Sequence, residues 1–198
     1  MSAMVRWWWI RHAPSEGDQG IVHGQDDVAA DLTNQDAVAA TAAKLPQDAV
    51  WLTSTIRRAK ETAQALQPGV ETTEIKALDE QNYGIWNGQR WNDLKGEDAE
   101  AFWKDFANNK PPEGESYVEQ YARVSKAILQ LNPKYPDRDV IAVVHAGTIR
   151  SAIGLALDLA PMKALSVQVG NLSITRINAI PMDDGLKWAV QSVNLLPE

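Results

Sequence analysis

The feature that most constrains this chain is a pair of apolar runs that end alike. Trp7-Trp8-Trp9-Ile10 stops at Arg11-His12, and Val140-Ile141-Ala142-Val143-Val144 stops at His145. Unbroken aromatic and β-branched runs of this length predict strands covered on both faces, as in a parallel sheet flanked by helices. In open sheets of that kind, ligands bind in the crevice beyond the carboxyl ends of the strands. Two strands delivering imidazoles to that crevice, one with an arginine beside it, predict a site for an anion. One histidine after a strand would mean little; the repetition carries the weight.

The rest of the chain supplies the covering. Residues 15–20, rich in glycine and polar side chains, predict a loop lying over the crevice. A helix over 37–44 is capped from Thr33-Asn34-Gln35-Asp36 and closed by Pro46. Ala49-Val50-Trp51-Leu52-Thr53 predicts a strand, and a helix follows directly from Ser54 to the stop at Pro68-Gly69, with Ala59, Thr62, Ala63 and Leu66 on one face. Arg58 then falls in the first turns of a helix that starts at a strand end, where free backbone N–H groups also favour anions. Residues 70–75 predict a short strand, 78–88 a shaped loop with two glycines, and 91–109 a helix using Leu94, Ala101, Phe102 and Phe106. Ser116 caps a long helix over 117–131 with an inward stripe of Val118, Tyr121, Ala122, Ser125, Ile128 and Leu129. A helix over 147–157 turns Ile149, Ala152, Ile153, Ala156 and Leu157 to the sheet, and the strands 172–177 and 188–193 form an edge hairpin through Asp183-Asp184-Gly185. The pattern predicts an α/β fold, a three-layer α/β/α sandwich on a mainly parallel central sheet.

A chain of 198 residues is expected to be one domain, 1–198, with 81–139 a helical insertion partly covering the site. It holds no cysteine, which removes disulfides, thiolate metal sites and cysteine nucleophiles and fits a reducing compartment. The start, Met1-Ser2-Ala3-Met4-Val5-Arg6, lacks a basic leader and a long apolar run, and no stretch is long enough for a spanning helix. The chain is therefore expected to be cytoplasmic, with no membrane partner. A net charge of -7 argues against a nucleic-acid partner while allowing a small anion held by clustered arginines. Eight tryptophans are expected in the core or at the pocket mouth, and together with the apolar edge hairpin they leave a homodimer open.

Four segments, in order, resemble the histidine phosphatase superfamily, which includes the cofactor-dependent phosphoglycerate mutases, the fructose-2,6-bisphosphatases and the α-ribazole phosphatases. They are Arg11-His12-Ala13, the run from Ser54 through Arg58 to Ala63, Leu78 to Gly88 around Glu80, and His145-Ala146-Gly147-Thr148-Ile149-Arg150, with Gly114-Glu115-Ser116 adding a fifth match. Ala13 and Ala146 stand where the family has glycine, which requires negative φ at both. The Thr and Asn that follow Arg-His-Gly-Glu in the mutases are replaced by Pro14-Ser15-Glu16-Gly17.

The resemblance implies a phosphoglycerate mutase-like fold and a reaction through phosphohistidine on His12, with Arg11, Arg58 and His145 around the phosphoryl oxygens. Glu80 would be the acid for the leaving oxygen and then the base for water. In that role it should carry a proton at the start, giving an acid-leaning optimum. Thr148 would offer its backbone N–H to phosphate, and His23, in its loop, would touch substrate. Arg57 is expected to be an exposed helix charge, Arg150 a structural ion pair, and Trp86 a shaper of the Glu80 loop. No metal and no other cofactor is expected, and the partner is a small phosphorylated substrate. The compact stretch 81–144, without the mutases' basic Arg-Arg-Ser-Tyr-like segment, favours a phosphomonoesterase over a mutase or a phosphoprotein phosphatase. Two other readings are a zinc site of His12, His145 and Glu80, which would leave Arg11 and Arg58 repelling the metal, and a non-catalytic phosphate-binding scaffold.

Overall fold

The computed structural model describes residues 3–17 and 20–197; Asp18 and Gln19 of the expected covering loop, and the first two residues, lie outside them. In chain order the elements are β1 (Val5–Arg11), α1 (Gln35–Ala42), β2 (Ala49–Thr53), α2 (Arg57–Leu66), β3 (Thr73–Glu74), α3 (Glu97–Lys104), α4 (Tyr117–Leu131), β4 (Asp139–Val144), α5 (Ala146–Leu157), α6 (Pro161–Ala164), β5 (Ile174–Met182) and β6 (Gly185–Leu195). They build one six-stranded sheet in the order β3-β2-β4-β1-β5-β6. The β1·β4, β2·β4 and β2·β3 pairs are parallel, and β5 runs antiparallel to β1 and to β6.

Alternation along the central strands explains the three layers. Val5, Trp7 and Trp9 of β1, with Val140, Ala142 and Val144 of β4, face α4 and α5. Ile10, Ile141 and Val143 face the other way, onto Val38 of α1 and Ala59, Ala63 and Leu66 of α2. The apolar residues of β1 and β4 thus pack into one core or the other, which is why both strands read as continuous apolar runs. Trp7 and Trp9 stack at 4.7 Å between ring centroids, and the Trp7 indole N–H donates to Asn132 Oδ1 at 2.7 Å, so that a polar atom carried into the core is satisfied. Trp8 points to the other face, where Arg176 lies 4.0 Å over its ring.

Several expectations are corrected. The strand over 70–75 shrinks to two residues, because β3 is an exposed edge that pairs with β2 only at Leu52 and Thr53. The single helix over 91–109 is broken: Gly96 takes φ +93°, so a 3-10 turn over Trp91–Asp93 ends before α3 begins, and Ala101 and Phe106 are exposed while Ala99 and Phe102 face inward. The inward stripe of α4 is Tyr117, Gln120, Val124, Ala127, Ile128 and Leu131, so Leu129, at 48% exposure, faces water. On α5 the buried face ends near Gly154, leaving Leu157 at 50% exposure.

The joints match the sequence closely. Asn34 caps α1 through Ala37 N, and Ser116 and Glu119 form a reciprocal capping box at the start of α4. Among the described residues, no helix is long and apolar enough to cross a membrane.

Candidate active site

Strand register brings the two histidines together. Arg11 pairs with Val144 and the His12 N–H continues the ladder to Val144 O at 2.9 Å, so His12 and His145 leave the sheet side by side. Their ring centroids are 5.0 Å apart, within reach of one phosphoryl group. On the far side of β4, Ser54 N bonds Val143 O and Ser54 Oγ lies 2.7 Å from His145 Nε2.

His12 is buried and its tautomer is set by its own backbone. Nδ1 lies 2.5 Å from the Ala13 carbonyl, which can only accept, so the ring proton sits on Nδ1 and Nε2 keeps its lone pair. Arg58 Nε donates to that nitrogen at 3.2 Å. Asn171 Nδ2 holds the His12 carbonyl at 2.9 Å, and the Ala13 N–H donates to Thr62 Oγ1. Burial first, then the charges of His145 and Arg58, hold the His12 imidazole well below its ordinary pKa. Burial and the arginines do the same to His145. Both rings are therefore neutral near pH 7.

The arginines are anchored by carbonyls. Arg58 donates to Gly24 O at 2.6 Å and to Asp26 O at 3.0 Å, and Arg11 Nη1 donates to Val169 O at 2.7 Å. Arg11 Nε is buried without a hydrogen-bond partner among the described residues. Neither arginine forms an ion pair among them, so the cup retains positive charge for an anionic ligand.

Glu80 sits over the first turn of α5. Its Oε1 accepts from Gln120 Nε2 at 2.8 Å and from the Gln81 N–H at 2.9 Å, and its Oε2 from the Gly147 N–H at 3.3 Å. A Cβ on Gly147 would overlap Glu80 Oε1 and both polar atoms of Gln120, so glycine is required there by contact, not by φ. Burial alone would raise the Glu80 pKa, but these three hydrogen bonds and Arg58 outweigh it and hold the carboxyl below its ordinary range. The expected proton on Glu80 in the resting enzyme is thus corrected: the carboxylate is ionised at neutral pH. Asp79 ties this loop to α2 by accepting from Thr55 N and Oγ1 at 2.7 and 2.8 Å.

The remaining candidates are placed as follows. The Thr148 side chain is fully buried and donates to the Leu78 carbonyl, bracing the Glu80 loop. His23 lines a cleft of about 160 Å³ with Arg11, Ser15, Gly17, Gly20 and Asn171. Arg57 is exposed and paired with Glu61 at 2.6 Å. Arg150 is corrected: no described carboxylate pairs with it, and its Nε donates to Val167 O at 2.8 Å. Trp86 packs into a small separate core with Val22, Leu94, Ala99 and Phe102. Ala13 and Ala146 avoid positive φ, which is why alanine is tolerated at both. Among the described residues no three His, Asp or Glu side chains are grouped to hold a metal.

Sequence reasoning missed Gln120, Ser54 and Asn171. Gln120 lies off the stripe read from the sequence, so only the observed face of α4 brings it to the site. For Asn171 the only signal is the fold itself: Leu172 takes φ +57° while buried, a strained turn that sets its neighbour against His12.

Two neutral imidazoles, two carbonyl-anchored guanidiniums and one carboxylate thus meet where the parallel strands end, an arrangement suited to an anionic ligand. The model of the histidine phosphatase superfamily, branch 1, matches residues 7–194, and the chain belongs to that family. It is 32% identical over 190 residues to a 2,3-bisphosphoglycerate-dependent phosphoglycerate mutase of Brucella ovis, covering 86% of this chain and 91% of that one. The structure of a mycobacterial glucosyl-3-phosphoglycerate phosphatase superposes with TM-score 0.79 at 25% identity, covering 97% of this chain and 99% of that one. The fold is shared with a phosphoserine phosphatase of Entamoeba histolytica, at TM-score 0.80 and 21% identity over 96% of each chain.

Proposed function

We propose that the chain is a phosphomonoesterase acting on a small phosphorylated metabolite through a phosphohistidine at His12. The observation that carries this reading is the setting of His12: a neutral ring whose Nδ1–H is donated to the Ala13 carbonyl, leaving the lone pair of Nε2 facing the positive cup. Nε2 attacks phosphorus as the bond to the leaving oxygen breaks, and Arg11, Arg58 and His145 stabilise the charge on the equatorial oxygens. Glu80 delivers a proton to the leaving oxygen. It then takes one from the water that cleaves the P–N bond, releasing phosphate and restoring His12.

Because Glu80 rests ionised, the proton arrives with the substrate. A phosphomonoester loses its second proton near pH 6, so the monoanion can bring one to the Glu80 carboxylate. The acid-leaning optimum survives, but its basic limb belongs to the substrate. The reaction needs no metal or other cofactor in this scheme, and full rate in a strong chelator is expected.

The test is a hydrolysis screen of phosphorylated metabolites with His12→Ala as the blank. We expect the variant to lose about 10³-fold or more of the rate and to trap no acid-labile phosphoenzyme. An unchanged rate in His12→Ala would overturn the reading. A second reading is favoured by the 32% identity to mutases, whose length this chain nearly matches, so compactness does not separate the two. Phosphoglycerate isomerisation that depends on added 2,3-bisphosphoglycerate, exceeding hydrolysis, would make the mutase reading the correct one.

A further inference from the structure

The residue that deepens this reading is Gln120. Its side chain is buried near the start of α4, on the stripe that packs against α5, where every other member but the tyrosine Tyr117 is aliphatic. Its Nε2 donates to Glu80 Oε1 at 2.8 Å, while its Oε1 is buried with no hydrogen-bond partner. An orphaned amide oxygen in a core is destabilising, so its retention beside a carboxyl points to a state in which the oxygen is used. A glutamine amide presents a donor and an acceptor that exchange places on a half-turn about its last bond. Opposite an ionised Glu80 the donor must face inward. Opposite a protonated Glu80, whose O–H has to find an acceptor, the oxygen can turn in.

We infer that Gln120 is a two-state positioning residue for Glu80: its amide holds the carboxylate when Glu80 is ionised, and rotates to accept the O–H when Glu80 is protonated. Gly147 makes this feasible, because both amide atoms and Glu80 Oε1 lie over the position its Cβ would fill. The other groups facing Glu80 do not change partners in this way. They are the Arg58 charge from α2, the Arg11 charge from β1, the N–H groups of Gln81 and Gly147, and the neutral hydroxyls of Tyr83 and Tyr117, both pushed up by burial and by Glu80 itself. A proton on Glu80 therefore has an acceptor in Gln120 until the leaving oxygen, gaining charge as its bond to phosphorus breaks, becomes the stronger acceptor and takes it.

This inference rests on Glu80 as the proton carrier, and the experiment separates the two claims. Gln120→Met keeps the volume and removes the amide, and Gln120→Glu keeps the shape and places a second carboxyl opposite the first. Glu80 is titrated directly by carboxyl ¹³C NMR in both variants and in the parent, and kcat/KM is measured against pH on one substrate. In Gln120→Met the carboxylate loses a charge-assisted bond and the acid loses only a weaker neutral one, so the Glu80 titration and the acid limb of kcat/KM should move up by about one pH unit. In Gln120→Glu both should move further, because the two carboxyls share one proton. The basic limb, set by the substrate, should stay in place. A Glu80 titration unmoved in either variant, with a rate lowered equally at every pH, would overturn the inference and reduce Gln120 to packing. A titration that moves while the acid limb does not would uphold Gln120 as the partner of Glu80 and overturn Glu80 as the proton carrier.

Discussion

At the scale of single residues, the site works by denying charges their usual partners. Arg11 and Arg58 are anchored to carbonyls rather than carboxylates, so their positions are set while their charge is left for the ligand. Glu80 is held by three donors, and the tightest constraint on it is the missing Cβ of Gly147. Gly147→Ala should therefore lower kcat by about 10- to 100-fold, since a shift of an ångström at a reacting group costs that much. Alanine is the better helix former by about 1 kcal/mol, so a merely local helix effect would raise stability instead. Near-parental kcat together with a higher melting temperature would refute the contact argument. The arginines were legible through the motifs that carry them, since a place at a helix start does not separate Arg58 from the exposed, Glu61-paired Arg57. The ionisation of Glu80 was not, because it depends on Gln120 and Gly147, which lie 40 and 67 positions away.

At the scale of elements, the units with the strongest punctuation were readable: β1, β2 and β4 as unbroken apolar runs, α2 between a strand end and Pro68-Gly69, and α4 behind its capping box. The weaker ones failed for identifiable reasons. Gly96 at φ +93° interrupts an otherwise plausible helical pattern, and β3 has a single neighbouring strand to pair with, so its apolar content does not set its length. The face of α4 was misjudged because Gln120 is buried as polar, its place bought by Glu80. The segment around α3 packs Trp86, Leu94, Ala99 and Phe102 with Val22 of the loop after β1 into a small core apart from the two on the sheet. Phe102→Ala should cost about 3–5 kcal/mol, concentrated there. Hydrogen exchange should lose protection over 84–106 while β1 and β4 keep theirs. Equal loss in all three regions would mean that the segment is not a separate unit.

At the scale of the whole molecule, the buried histidines link the site to stability. The ordinary pKa of histidine is near 6.5, and both His12 and His145 lie well below it in the folded state, chiefly through burial. Between the two values the unfolded chain binds more protons, so stability falls as pH drops below about 6.5, by up to about 1.4 kcal/mol per pH unit for each ring. Glu80, depressed in the folded state, adds a further loss only at lower pH, as its own folded value is passed. Denaturant unfolding from pH 7.5 to 5.0 should show this slope. His12→Ala should flatten it, and inorganic phosphate, which binds only the folded site, should offset it. A slope unchanged by His12→Ala would contradict the assignment of the neutral ring.

The strand order has a consequence for how the molecule comes into being. The strand that ends at His12 has no neighbour close to it along the chain, since the strands on either side, β4 and β5, begin at Asp139 and Ile174. A fragment lacking them holds three consecutive tryptophans on a strand with both edges unpaired. Enclosing that segment waits on β4 and β5, so a chain cut before them is not a weaker catalyst but a sticky one.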